Sequence, residues 1–154
     1  MRDQNHPHAP REQNLVSFPA IVTMPVQWGD QDNFGHVNNV IYFRWFESAR
    51  IKYLDEMGLD HRMQDTTLGP ILAAITCSYR KQVTYPDTVR IGAKVTRIGR
   101  TSMTMHHAVY SEAHDAMVAD GDSTVVVFDY SRQAPCAIPA DLRSRIEAIE
   151  GKSF

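Results

Sequence analysis

Residues Trp28 to Asn39 read W-G-D-Q-D-N-F-G-H-V-N-N, which packs two acids, a glycine, a histidine and several amides into one short segment. A carboxylate in such a place can attack an electrophilic carbonyl or take a proton from water. The residues that follow turn apolar with helical spacing, so the segment leads into the positive end of a helix dipole. That end suits a reaction that builds negative charge on oxygen. Acyl transfer is a chemistry that such a segment can support.

Each residue also has a plainer role. Asp30 and Asp32 can simply cap a turn or a helix. Gly35 supplies a backbone angle, or a close approach, that a side chain would block. The N–H groups of His36, Val37, Asn38 and Asn39 can hold an oxyanion if the helix start leaves them free. Asn39 either orients water or a carbonyl through its amide, or serves only as the N-cap. His36 can exchange protons, although a loop-bracing hydrogen bond is the preferred reading.

The elements that must position this segment can be read around it. Val22, Met24, Val26 and Trp28 alternate, which predicts a strand over Phe18–Trp28, with Pro25 marking an edge or a bulge. A helix is expected from Asn38 or Asn39 to Met57. Tyr42, Phe46, Ala49, Tyr53 and Met57 form its apolar stripe, widened by Ile41, Phe43, Trp45 and Leu54. Arg44, Ser48, Lys52 and Glu56 form the opposite, polar stripe, and Gly58 stops the helix. Extended segments are then expected at Ile71–Gln82, Thr88–Ile98, Ser102–Ser111 and Ala116–Tyr130, with a bulge at Asp120 and Gly121. A short helix, Ala140–Glu150, closes the chain. Strands joined by short turns pair antiparallel, so the pattern predicts an α+β domain with one long helix on an antiparallel sheet. An exposed sheet face and edge lead us to expect self-association.

The chain has 154 residues, 43% hydrophobic and 22% charged, which fits one globular domain, residues 17–154, behind a flexible arm over residues 1–16. His6 and His8 in that arm read as solvated residues. The formal net charge of -2 argues against a nucleic-acid or anionic-membrane partner. Two cysteines, Cys77 and Cys136, do not imply a disulfide framework. Cys77 reads as buried filler. His106 and His107 point to opposite faces of a strand and make a poor metal pair. A cytoplasmic location is expected.

The chain resembles the hotdog-fold acyl-CoA thioesterases, in their 4-hydroxybenzoyl-CoA thioesterase-like branch. The resemblance starts at V-Q-W-G-D-Q-D-N-F-G-H-V-N-N-V-I-Y-F-R-W-F-E-S-A-R. It continues through V-T-Y-P-D-T-V-R-I-G, R-I-G-R-T-S-M-T-M, V-V-V-F-D-Y-S-R-Q-A-P and I-P-A-D-L-R, roughly residues 18 to 146. The first motif is the specific one. The resemblance implies a hotdog fold, a five-stranded antiparallel sheet wrapped around one long central helix. It implies a homodimer or homotetramer with acyl-CoA bound near the subunit interface.

In the family's D-x-D-x-x-G element the catalytic acid matches Asp32, and the first acid, Asp30, is a loop brace. Some members carry a histidine where this chain has Asn39. The resemblance implies hydrolysis of an acyl-CoA to free acid and CoA, without metal or redox cofactor. Asp32 would be nucleophile or general base, and the helix-start amides the oxyanion hole. The nucleotide of CoA would meet Arg97, Arg100, Thr101 and Ser102, with Arg132 a further cation. The acyl pocket would be walled by Tyr42 and Phe43, with Phe46, Ile75 or their neighbours. Glu47 reads as a solvated helix charge. The alternatives are an acyl-CoA binding module without turnover and a thioesterase acting on acyl carrier protein. A hydratase or dehydratase on the same fold would place its acid elsewhere.

Overall fold

The computed structural model describes residues 15–58 and 67–154. The sheet is antiparallel throughout. Its main path is β1 (Ala20–Pro25), β4 (Thr88–Ile98), β5 (Ser102–Ser111), β6 (Ala116–Asp129) and β2 (Leu68–Ile75). Two-residue strands β3 (Ser78–Tyr79) and β7 (Ala134–Pro135) pair with β6 as well. The long helix α1 (Asn39–Glu56) packs on β1, β4 and β5, and α2 (Ala140–Glu150) follows the sheet. This is the expected hotdog arrangement, and Pro25 ends an edge strand as its lack of an N–H requires.

The helix buries the stripe its spacing predicts. Tyr42, Phe46, Ala49, Tyr53 and Met57 are each no more than 3% exposed. Burying each large side chain contributes about 1.5–3 kcal/mol. Arg44, Lys52 and Glu56 stay exposed on the other side. Glu150 Oε1 accepts from the Tyr53 hydroxyl and from the Val95 N–H, each at 2.7 Å, and so ties α2 to both α1 and β4.

Four expectations need correction. The strand expected over Ile71–Gln82 is broken between β2 and β3. At the break Thr76 lies close over Gly121 on β6, where an added Cβ would fall inside contact distance of the Thr76 carbonyl oxygen. Gly121 is therefore a close crossing point and not a bulge. The bulge in β6 lies at Val118, since Val109 faces Ala119 while Tyr110 faces Met117. Leu15 and Val16 are expected to belong to a flexible arm, but Leu15 does not behave as arm. Leu15 is fully buried against Phe18, Ala108 and Tyr110. Cys77 is only half-buried, and burial pushes its thiol up. His6 and His8 lie outside the described residues.

One buried polar group was not foreseen. Ser123 Oγ accepts from Arg50 at 3.3 Å and lies 2.7 Å from His107 Nε2. The His107 ring stacks on Phe46 at 4.9 Å between centroids. Burial, then the Arg50 charge, pushes His107 down to about 3. His106 points the other way, to Asp122 at 2.8 Å, as strand alternation requires.

Candidate active site

Between β1 and α1 the chain makes a 3-10 turn at Trp28–Asp30 and then the D-N-F-G turn. Asp30 Oδ2 accepts from the Gln27 N–H at 2.8 Å, and its carbonyl accepts from the Asn38 N–H at 2.9 Å. Asp30 thus closes the 3-10 turn and anchors the helix start. It faces a groove shared with Gln27, Ile41, Arg44 and Glu47, away from the Asp32 cleft. Glu47 is exposed there.

Asp32 closes the next turn. Its N–H donates to the His36 carbonyl at 2.9 Å, and its own carbonyl accepts from Gly35 at 3.0 Å. Oδ1 accepts from the Phe34 N–H at 2.8 Å. Oδ2 takes no hydrogen bond from the described residues. The residue therefore does the turn-capping job of an aspartate with one oxygen and presents the other to solvent. Gly35 has φ +79°, and nothing lies within 4 Å of where its Cβ would be, so it is there for the backbone angle and not for a close approach.

The helix start is narrower as an oxyanion site than the sequence suggests. Asn38, not Asn39, is the N-cap, its side chain accepting from the Val40 N–H at 3.0 Å. The Val37 N–H donates to Val83 at 2.8 Å, and the Asn38 N–H is held by Asp30. Neither can serve an oxyanion without breaking the loop. The N–H groups of His36 and Asn39 have no acceptor among the described residues. His36 braces the loop through its carbonyl, while its side chain lines the cleft.

Asp32, His36, Val37, Asn39 and Tyr42 form one wall of a cleft of about 300 Å³. The facing wall is Tyr79, Arg80, Lys81 and Gln82. Tyr42 meets Tyr79 edge to face at 5.0 Å between centroids. Burial, then the nearby Cys77 thiol and Tyr79, pushes the Tyr42 phenol up to about 12, so it keeps its proton at neutral pH. Arg80 donates from Nη2 and Nε to the one oxygen Asp120 Oδ1, at 2.7 and 3.0 Å. This facing wall escaped the sequence reading. Its only signal is a tyrosine and two cations in succession at the end of a strand, and topology alone brings them to Asp32.

Other expected site residues stand apart from this cleft. Phe43 is half-buried and packs edge to face on Phe46 at 6.4 Å, outside the cleft lining. Phe46 is core and Ile75 packs against it. Arg100 and Thr101 lie in the β4–β5 turn, between Arg97 near the end of β4 and Ser102 at the start of β5, and the Thr101 and Arg100 carbonyls accept from the Val127 and Ile138 N–H groups at 2.9 Å each. Arg97 and Ser102 line a second cleft of about 200 Å³ with Thr104 and Thr124. Through the register, Tyr79 is level with Ile91, six residues short of Arg97 on β4. That is roughly 20 Å along the strands. One chain does not bring the turn and the Asp32 cleft together. Arg132 is exposed and lies 3.7 Å from Asp129. No group of three or more His, Cys, Asp or Glu placed to hold a metal occurs among the described residues. No helix among them is long and apolar enough to cross a membrane.

Comparison with known proteins bears on this geometry. Residues 26–146 match the family model described as the thioesterase-like superfamily. The chain is 31% identical over 98 residues to the uncharacterized protein YsmA of Bacillus subtilis (strain 168), covering 64% of this chain and 65% of that one. The match thus spans just under two thirds of that relative's length. It is 25% identical over 118 residues to the long-chain acyl-CoA thioesterase FadM of Escherichia coli (strain K12), covering 77% of this chain and 89% of that one. Among solved structures, a thioesterase of Thermus thermophilus, complexed with coenzyme A and Zn, superposes with a TM-score of 0.80 at 28% identity. It covers 90% of this chain and 99% of that one.

Proposed function

The chain belongs to the thioesterase-like superfamily, and on that premise we propose that it hydrolyses acyl-CoA thioesters to a free acid and CoA. The observation that carries this reading is the Asp32 carboxylate. One of its oxygens is locked in the turn and the other is open to the cleft that also holds the start of α1. The open oxygen either attacks the thioester carbonyl or takes a proton from an attacking water. The first route gives a mixed anhydride that water then opens, and the second gives the acid directly. Both release CoA thiol and consume one water, and neither calls on a metal or redox cofactor.

As the carbonyl becomes tetrahedral, its oxygen gains negative charge. The N–H groups of Asn39 and His36 are the donors left for it, helped by the positive end of α1. The Asn39 side chain would orient the water or the carbonyl. CoA is preferred to acyl carrier protein as the carrier because the Thermus structure holds coenzyme A. We assign the nucleotide end of CoA to the Arg97–Ser102 region of a second copy, because the resemblance places acyl-CoA near the subunit interface and the same chain's region lies roughly 20 Å away along the sheet.

A thiol-release assay over aromatic, short-chain and medium-chain acyl-CoAs tests the activity. On the best substrate, Asp32→Asn is expected to fold normally and lose about 100-fold or more in turnover. Wild-type turnover by the purified variant would show this mechanism to be wrong. Binding of acyl-CoA without release by the wild-type protein would favour a binding module instead.

A further inference from the structure

Tyr79 lies on the cleft wall opposite Asp32, forty residues beyond Asn39, and the fold goes to some length to hold it there. Gly121 lets the Thr76 backbone pass close over β6, and β3 then pairs Ser78 with Asp120 and Tyr79 with Ala119. Just after it, the Arg80 and Lys81 N–H groups both donate to the Val118 carbonyl, at 2.8 and 3.1 Å. Arg80 adds its grip on Asp120 Oδ1. Yet the side chain so placed is 47% exposed, so core burial does not explain it. Its hydroxyl could be satisfied by solvent. It donates instead to the Asn39 carbonyl at 3.1 Å. That carbonyl, in the first turn of α1, already has a partner in the helix ladder. The Tyr79 bond is thus an added restraint, and not the rescue of an unpaired group.

We infer that Tyr79 is a positioning residue for the hydrolysis. Its hydroxyl reaches across the cleft and fixes the first residue of α1, so that the Asn39 N–H and side chain keep their place beside Asp32 on the same wall. The inference rests on the hydrolase reading above. The phenol is suited to the task, since burial of its inner edge and the Cys77 thiol push it up to about 12 and keep it a donor at neutral pH. The edge-to-face contact with Tyr42 at 5.0 Å sets the ring plane and aims the hydroxyl.

Tyr79→Phe keeps the ring and removes the bond. Steady-state thiol release on the best acyl-CoA is expected to show kcat down about tenfold with KM within about twofold of wild type. The melting temperature should move little, because the side chain is half-exposed. In an Asn39→Ala background the same change should have a smaller effect on kcat, since the part acting through the Asn39 side chain is gone and only the part acting through the retained N–H remains. An unchanged kcat, a rise in KM alone, or full additivity with Asn39→Ala would each overturn the positioning role. Absence of release by the wild-type protein with any acyl-CoA would instead sink the hydrolase reading, and this inference with it. The two failures are therefore told apart by the wild-type control.

Discussion

A single aspartate can be both a turn residue and a reacting group because a carboxylate has two oxygens. In the proposed mechanism Asp32 would divide the work that way, with Oδ1 held by the Phe34 N–H and Oδ2 left for the reaction. Asp30 gives its carboxylate and its carbonyl to the loop. The sequence marks both acids equally, and only the hydrogen bonds separate them. A different residue-scale consequence concerns His107, buried and held down to about 3. In the unfolded chain a histidine takes its proton near pH 6.5. Between these values the unfolded state binds a proton that the folded state refuses, so acid favours unfolding. Stability from this residue is complete above about pH 6.5 and is lost as pH falls toward about 3, at up to about 1.4 kcal/mol per pH unit. Urea unfolding at stepwise lower pH should show that slope most cleanly between about pH 6.5 and 5, before the carboxylates titrate. His107→Gln should flatten it. A slope unchanged by the substitution would assign it to other groups.

At the scale of elements, what repeats along the chain was legible and what depends on a crossing was not. The stripe from Tyr42 to Met57 and the alternation in β4 and β5 announce their own burial, and the bounds of β4, β5 and α2 match the expected ones. Gly121 illustrates the limit. A glycine inside a strand reads as a bulge, because sequence offers no sign that Thr76, far back along the chain, will pass over it. The same crossing hid the Tyr79–Gln82 wall. Gly121→Ala is expected to push β2 and β3 off β6 and cost about 3 kcal/mol. Chemical denaturation would measure the loss, and tryptic cutting after Arg80 or Lys81 should speed up in step. A variant with wild-type stability would mean that the crossing relaxes freely.

At the scale of the whole molecule, the proposed substrate, with its long arm, would meet a chain whose two candidate contact regions lie roughly 20 Å apart along the sheet. The candidate acid was legible from local motif and resemblance; the separation was not, because it is a property of register. If two copies share each substrate, the halves of the site can be damaged in different chains. Protomers carrying Asp32→Asn, mixed and refolded with protomers carrying Arg97→Glu and Arg100→Glu, should recover thiol release above either parent alone. Recovery no greater than the sum of the parents would remove the turn from the neighbour's site.

The crossing of Thr76 over Gly121 also bears on motion. The cleft has one wall anchored to β6, which pairs with β5, β2, β3 and β7 and so cannot shift without disturbing the sheet. On the other wall the Asp32–His36 turn is closed by bonds among its own residues, while Val37 and Asn39 beside it are tied to Val83 and Tyr79. Fluctuation should therefore be one-sided. The Asp32–His36 turn can breathe on a fast timescale at small free-energy cost, while Tyr79 moves only in openings that approach global unfolding. On the proposed reading, such a cleft would admit substrate by flexing the side that carries Asp32 against a side that stays still.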